Sequence, residues 1–138
     1  MERWNDRLEA ICSVLERLRL ENEEFPVIVE GRKDTQSLRA VGLTGEIIEI
    51  NNGKSIVAMC EGLAEYGRVI LLFDWDRKGG QLTRAFSEAL KTEGVEYDTR
   101  IRSELAVLVK KDIKDVEGLG SMVERLKTST AQPAGGQG

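Results

Sequence analysis

Short, unbroken runs of apolar residues recur after Pro26, and this feature restricts the fold more than any other. The runs are VIV (27–29), IIEI (47–50), VILLF (69–73) and a weaker YDTRI (97–101). Amphipathic stretches separate or follow them, at residues 34–42, 54–65, 80–92, 102–110 and 115–127. Such runs are typical of strands buried on both faces of a parallel sheet. The alternation predicts right-handed β-α-β units in an α/β fold, with a four-stranded, mainly parallel sheet and helices on both faces.

The two ends of the chain differ from this pattern. Segment 2–21 has apolar residues spaced by three and four, which places them on one face of a helix. They are Trp4, Leu8, Ile11, Leu15 and Leu18. The polar face mixes acids and bases, so packing on the domain is favoured over a membrane surface. We expect this packed helix within 1–24, one domain at 25–127 and, because apolar residues are scarce there, a disordered tail at 128–138.

The absence of histidine excludes whole classes of site. Ser-His and Cys-His nucleophile pairs and His-ligated metals are ruled out, so catalysis would rest on carboxylates, lysine, arginine or a bound metal. Cys12 and Cys60 are isolated and predict neither a disulfide framework nor a zinc site. The net charge of −4 predicts that RNA or DNA binds weakly without a protein partner. No apolar run suits a membrane span and the charged N-terminus is unlike a signal peptide, so we expect a cytoplasmic protein.

Acidic residues follow two of the predicted strands. Glu30 ends the first run, and Asp74 and Asp76 follow the third in LLFDWDRKGG. Ligands of an open parallel sheet bind outside the carboxyl ends of its strands, and an extended D-x-D directs both aspartates to one side. Crowded carboxylates repel one another, and a divalent cation that prefers oxygen relieves this repulsion. The pattern predicts a Mg²⁺ site, with Mn²⁺ as an alternative, on Glu30, Asp74 and Asp76.

Basic residues and glycines surround these acids. The cations, predicted to bind phosphate oxygens, are Arg32, Lys33, Lys54, Arg77 and Lys78. Gly79-Gly80 opens the helix after the third strand, and its free backbone N–H groups are predicted to be a further anion site. Simpler roles stay open: ordinary loop charges for the cations, a turn for the glycines, a helix N-cap for Asp34 and a loop anchor for Trp75 as an alternative to base stacking. Only the combination of two acidic strand ends, each followed by paired cations, favours a phosphate-bearing substrate.

Two strings resemble the motifs of the Toprim domain. VIVEGRKDTQSLRAVG, with E-G-x-x-D beginning at Glu30, is similar to the first motif, and VILLFDWDRKGG, with D-x-D-x-x-G beginning at Asp74, is similar to the second. The resemblance covers roughly residues 25–120 and implies a Toprim-like Rossmannoid fold. It is strongest to the ribonuclease that matures 5S ribosomal RNA and to small stand-alone Toprim proteins, which the string LVKKDIKDVEGL also resembles.

The resemblance also implies roles for single residues. Asp74 and Asp76 would be the Mg²⁺ ligands, and Glu30 a general acid–base or a further metal contact. Gly31 would permit a sharp turn after the first strand, with Gly79 in the turn after the third. Topoisomerases commonly have a third acid where this chain has Lys78, and no tyrosine-bearing cleavage domain is recognised. A topoisomerase is therefore not expected.

Two classes of function remain. The first is a Mg²⁺-dependent enzyme acting on nucleic-acid phosphodiester bonds, as a small nuclease or an RNA-processing enzyme. The second, ranked just below it, is a non-catalytic metal- and nucleic-acid-binding module of a larger assembly. In that case helix 2–21 would be the docking surface if its apolar stripe were exposed. Nucleotide hydrolysis is disfavoured, because G-x-x-x-x-G-K-[ST] and G-x-G-x-x-G are both absent.

Overall fold

The computed structural model describes the backbone of residues 3–137 and the side chains of residues 6–128. The strands of this part are β1 (Val27–Val29), β2 (Ile47–Glu49), β3 (Arg68–Leu71) and β4 (Glu96–Asp98). Its α-helices are α1 (Arg3–Glu24), α2 (Arg32–Ala40), α3 (Ile56–Gly62), α4 (Arg77–Thr92), α5 (Arg100–Val109) and α6 (Leu119–Gln137). Single 3-10 turns at Ala64–Tyr66 and Val116–Gly118 precede β3 and α6.

The four strands form one parallel sheet in the order β2-β1-β3-β4. Val27 of the inner strand β1 pairs with Ile47 of β2 on one side and with Ile70 of β3 on the other. The chain winds outward from β1 to β2 and, on the other side, outward from β3 to β4. β1 and β3 therefore flank the point where the winding reverses, and the crevice at their carboxyl ends is where ligands of such sheets bind. The predicted fold is confirmed, with every pairing parallel.

Both faces of the sheet are covered, because side chains alternate along each strand. Val27 and Val29 belong to a core beneath α1, α2, α5 and α6. On the opposite face Ile28 belongs to a core beneath α3 and α4. There the rings of Phe73 and Phe86 lie 5.0 Å apart. Burial on both faces explains why the strands appear in the sequence as unbroken apolar runs.

The N-terminal helix α1 packs on the domain through its apolar stripe. Ile11, Leu15 and Leu18 are buried in a core shared with α5 and α6, while the side chain of Trp4 lies outside the described part. Near the end of α1, the buried Asn22 is hydrogen-bonded to the backbone of the loop before β2. The stripe is therefore not available for docking. Among the helices of the described part, none has the length and apolar character of a transmembrane segment.

Two helix boundaries differ from the predictions. α4 begins at Arg77 rather than at 80, because Asp76 caps it by accepting a 2.7 Å hydrogen bond from Gly79 N–H. Gly79 thus lies in the first turn of the helix and not in a turn before it. At the other end of the chain, α6 continues to Gln137 and includes most of the tail predicted to be disordered.

Gly79 and Gly80 provide a matched test of the packing at the start of α4. A Cβ on Gly79 would lie 1.7 Å from the carbonyl oxygen of Asp74, whereas one on Gly80 would meet nothing within 4 Å. We expect Gly79→Ala to destabilise the fold by about 1–3 kcal/mol or more, because the backbone must move apart. Gly80→Ala should be neutral or stabilise by about 1 kcal/mol, since alanine favours a helix. Urea unfolding measures both, and equal free energies of unfolding would contradict the close approach.

Candidate functional site

Glu30 and Asp74 meet at the carboxyl ends of β1 and β3. Glu30 directly follows β1, and its Oε2 accepts a hydrogen bond of 3.0 Å from the backbone N–H of Asp74. Its Oε1 lies 3.8 Å from Nζ of Lys78, and only 15% of the Glu30 side chain is exposed. The segments that carry the acids predicted at the first and third strand ends are therefore in direct contact, at the point where the winding of the sheet reverses.

Asp74 is partly buried and has a strongly shifted pKa. Its Oδ1 accepts a hydrogen bond of 2.9 Å from Val116 N–H, while Oδ2 accepts none from the described residues. Burial above all, and then the charges of Glu30, Asp34 and Asp115, raise the pKa of Asp74 from 3.8 to about 7. The Val116 N–H acts in the opposite direction. Either a proton or a bound cation would relieve a carboxylate in these surroundings.

Asp76 and Trp75 make different contacts in the loop after β3. Asp76 is exposed and caps α4 with Oδ1, so its Oδ2 has no hydrogen bond to the part of the chain described. The indole N–H of Trp75 donates to the carbonyl of Ile113 at 3.0 Å, and its backbone N–H donates to that of Lys114 at 3.3 Å. Trp75 therefore anchors the loop after β3 to the segment after α5.

Two further acids lie beside these, and the sequence analysis did not assign either to the site. Asp34 is buried and accepts a 3.0 Å hydrogen bond from Gly31 N–H. Burial raises the pKa of Asp34, and the charges of Glu30 and Asp115 act in the same direction. Asp34 is the third residue of α2 and not its N-cap, which is Gly31. Asp115 caps the 3-10 turn before α6, and its D-x-x-G pattern indicates only that local role.

Gly31 does not have the conformation that the prediction gave it. Its φ of −160° and ψ of −177° are extended, and any residue adopts them. A Cβ at this position would meet nothing within 4 Å. A sharp turn that needs glycine is therefore absent here, and what Gly31 contributes is the N–H that binds Asp34.

The predicted phosphate-binding cations are exposed, and four of them open helices that start at the acidic edge of the sheet. These are Arg32 and Lys33 of α2 and Arg77 and Lys78 of α4. The ammonium of Lys78 faces Glu30, and that of Lys33 lies 3.9 Å from a carboxylate oxygen of Glu117. Lys54 is different, because it follows β2 at the outer edge and lines a separate cavity beneath α3.

Arg102 of α5 is a component of the site that the sequence analysis missed. Its Nε donates to the carbonyl of Phe73 at 2.9 Å and its Nη2 to that of Asp74 at 2.7 Å. Burial lowers the pKa of Arg102, while the charges of Asp76, Asp74 and Glu30 raise it. The guanidinium is thus a fixed positive charge behind the acids. In the sequence it belongs to an ordinary amphipathic helix, and only the fold brings it to the end of β3.

The side-chain oxygens at this edge are of the chemical type that hard divalent cations prefer. Asp74 and Asp76 each have one oxygen without a hydrogen bond to the described residues, and Glu30 contacts the backbone N–H of Asp74. Within the described part, no three acidic or thiol side chains lie close enough together to enclose a metal by themselves. Mg²⁺ commonly takes one or two carboxylates and keeps several waters, so two ligands with water would suffice, and Mn²⁺ has similar preferences.

The pKa of Asp74 predicts how the stability of the metal-free protein depends on pH. A carboxyl whose pKa is raised on folding favours the folded state most below its unfolded pKa, and this stability is lost as pH rises through the folded pKa. The loss should extend from about pH 4 to about pH 7. Asp74→Asn keeps the acceptor for Val116 N–H but does not ionise. In urea unfolding with EDTA, the free energy of unfolding of the variant should rise relative to that of the parent protein as the pH increases across this range. A difference independent of pH would contradict the assignment.

Comparison with known proteins identifies relatives over nearly the whole chain, although no family model matches it. A UPF0292 protein from Methanocaldococcus jannaschii is 35% identical over 124 residues, covering 89% of this chain and 97% of the relative. A UPF0292 protein from Pyrococcus horikoshii is 38% identical over 120 residues, covering 87% and 86% of the two chains.

A solved structure has a similar fold. It is that of a protein from Aquifex aeolicus, with 26% sequence identity and a TM-score of 0.63 over 76% of this chain and 94% of the other. Sequence identity above 30% over most of the length of these two archaeal relatives is more than a shared fold requires. The chain belongs to the UPF0292 family.

Proposed function

We propose that this protein is a Mg²⁺-dependent enzyme that cleaves phosphodiester bonds in nucleic acid, as a small nuclease or an RNA-processing enzyme. The observation that carries the proposal is the 3.0 Å hydrogen bond from Asp74 N–H to Glu30, which joins the acidic ends of β1 and β3. Exposed cations in the first turns of α2 and α4 flank these acids. Acids that suit a divalent cation, bordered by groups that bind phosphate, are the arrangement that phosphodiester chemistry requires.

Each residue has a defined part in the proposed reaction. Asp74 and Asp76 would hold the metal, with Glu30 as a further contact. When bound, Mg²⁺ would offset the charge of the phosphate and lower the pKa of a water molecule. Glu30 accepts or returns a proton at Oε1, because its Oε2 is held by Asp74 N–H. The first-turn cations of α2 and α4 bind and orient the phosphates on either side of the bond to be cleaved.

The resemblance to the Toprim domain supports the same assignment of roles. Lys78 stands where topoisomerases commonly have a third acid, and its ammonium lies 3.8 Å from Oε1 of Glu30. A cation there pairs with the carboxylate of Glu30 and leaves a positive group beside the proposed substrate. It therefore favours a phosphate ligand over an additional metal ligand at this position.

A second candidate is a non-catalytic module that binds metal and nucleic acid inside a larger assembly. The net charge of −4 favours it, and so does the lack, in the described part, of three acids that enclose a metal by themselves. A partner would then supply the missing ligands or a basic surface. The apolar stripe of α1 is buried, so that partner would bind elsewhere.

Cleavage assays on RNA and DNA panels test the enzyme directly. We expect cleavage that requires Mg²⁺ or Mn²⁺ and is abolished by EDTA. Glu30→Gln should lower the rate by about 10²–10⁴-fold, the usual contribution of a general acid–base. Glu49→Gln is a matched control: Glu49 ends the neighbouring strand β2, is exposed, and accepts a hydrogen bond from Thr35 that glutamine can also accept.

The outcomes separate the two candidates. Metal-dependent cleavage that is lost in Glu30→Gln and kept in Glu49→Gln supports the enzyme. Metal-dependent binding of nucleic acid without cleavage of any panel member supports the module. If Glu30→Gln and Glu49→Gln cleave equally well, the proposed role of Glu30 is wrong.

A further inference from the structure

Three lysines lie close together after α5, in the loop 110–114. Lys110 is the C-cap of α5, and Lys111 and Lys114 follow it. All three side chains are exposed, and none forms an ion pair with a described residue. The loop therefore presents three positive charges to solvent in a chain whose net charge is −4.

The acid within this loop has its charge taken up by α1. Asp112 lies between Lys111 and Lys114 in the sequence, and its Oδ2 is paired with the guanidinium of Arg7. Arg7 also donates from Nε to the carbonyl of Leu108 at 3.0 Å, so the pair is held against the end of α5. Because Asp112 is already neutralised, it offsets little of the positive charge of the neighbouring lysines.

The loop is attached to the acidic edge of the sheet by the residues that follow β3. Trp75 donates two hydrogen bonds, from its indole to the carbonyl of Ile113 at 3.0 Å and from its backbone to that of Lys114 at 3.3 Å. Asp74 accepts a third from Val116 N–H at 2.9 Å. The lysines are therefore not placed at random on the surface, since their loop is fixed to the two residues next to the proposed metal.

We propose that Lys110, Lys111 and Lys114 form a second phosphate-binding arm, which holds the backbone of a nucleic acid whose scissile bond lies at the acidic edge. This inference rests on the proposed function and extends it to the course of the substrate. The first-turn cations of α2 and α4 bind one stretch of phosphates. The 110–114 loop, attached through Trp75, binds another.

Electrostatics favours the phosphate backbone of a nucleic acid as the ligand of this arm. The acids around Asp74 repel a nucleic acid, and Lys33 and Lys78 are partly offset by Glu117 and Glu30. Arg32 and Arg77 are then the first-turn cations without an ion pair to a described residue, and further lysines fixed near the site would add to the affinity. A nucleic acid repeats its negative charge every few ångströms, about one per 1.7 Å of duplex axis, so several lysines in one loop can each neutralise a phosphate.

Salt dependence of binding gives the test. The slope of log K against log salt is negative, and each lost phosphate contact reduces its magnitude by about 0.7–0.9. Labelled RNA and DNA hairpins would be titrated with the Glu30→Gln protein in Mg²⁺, between about 50 and 200 mM salt. We expect the triple variant K110Q/K111Q/K114Q to bind more weakly, and the magnitude of its slope to be smaller by about 2–3. Lys114→Gln alone should lose about 1.

A second triple variant, R84Q/K91Q/R125Q, is the matched control. It removes the same charge from exposed positions on α4 and α6, and its slope should stay close to that of the parent. Equal slopes for both triple variants would overturn the arm while leaving the proposed function in place. Failure of the parent to bind either hairpin would overturn the arm and the proposed function together.

Discussion

The hydrogen bond from Asp74 N–H to Oε2 of Glu30 is the contact on which the site depends. It joins the segments that follow β1 and β3, and it forms because these strands are parallel neighbours whose carboxyl ends lie at one edge. Reversal of the winding between the two strands directs α2 and α4 to opposite faces of the sheet. The loops diverge there and leave a crevice, so the acids occupy the place where such a sheet can hold a ligand.

The balance of charge around this contact is the basis for the proposed cation site. Burial, as the largest cause, together with the charges of Glu30, Asp34 and Asp115 that act on Asp74 at this edge, raises the pKa of Asp74 to about 7. Arg102 offsets part of this charge from behind, where its guanidinium is held by hydrogen bonds to the carbonyls of Phe73 and Asp74. Carboxylates that repel one another and keep unshared oxygens are unfavourable alone, and Mg²⁺ would convert that repulsion into binding.

The features that could be predicted from the sequence are those determined by residues close together in the chain. The strands follow from runs of apolar residues buried on both faces, and Glu30 and Asp74 were predicted at the strand ends because they directly follow two of these runs. Arg102, Asp115 and the lysines of the 110–114 loop come from segments that resemble ordinary surface helix and loop. Their positions relative to the end of β3 depend on contacts with residues about thirty to forty positions away, which no local pattern reveals. The start of α4 was misplaced for a related reason, since a Gly-Gly pair suggests a turn until the close approach of Gly79 to Asp74 is known.

Titration of the protein with Mg²⁺, followed by the fluorescence of Trp75, tests the central claim most directly. The chain has two tryptophans, so the measurement uses the Trp4→Phe protein, in which Trp75 is the only source of the signal. The account predicts a saturable change in the parent and an affinity at least about 10-fold lower in Asp74→Asn, because even the loss of a group that only supports a metal ligand typically costs about that much. A titration with the same midpoint in both proteins, or no saturable change in the parent, would contradict it.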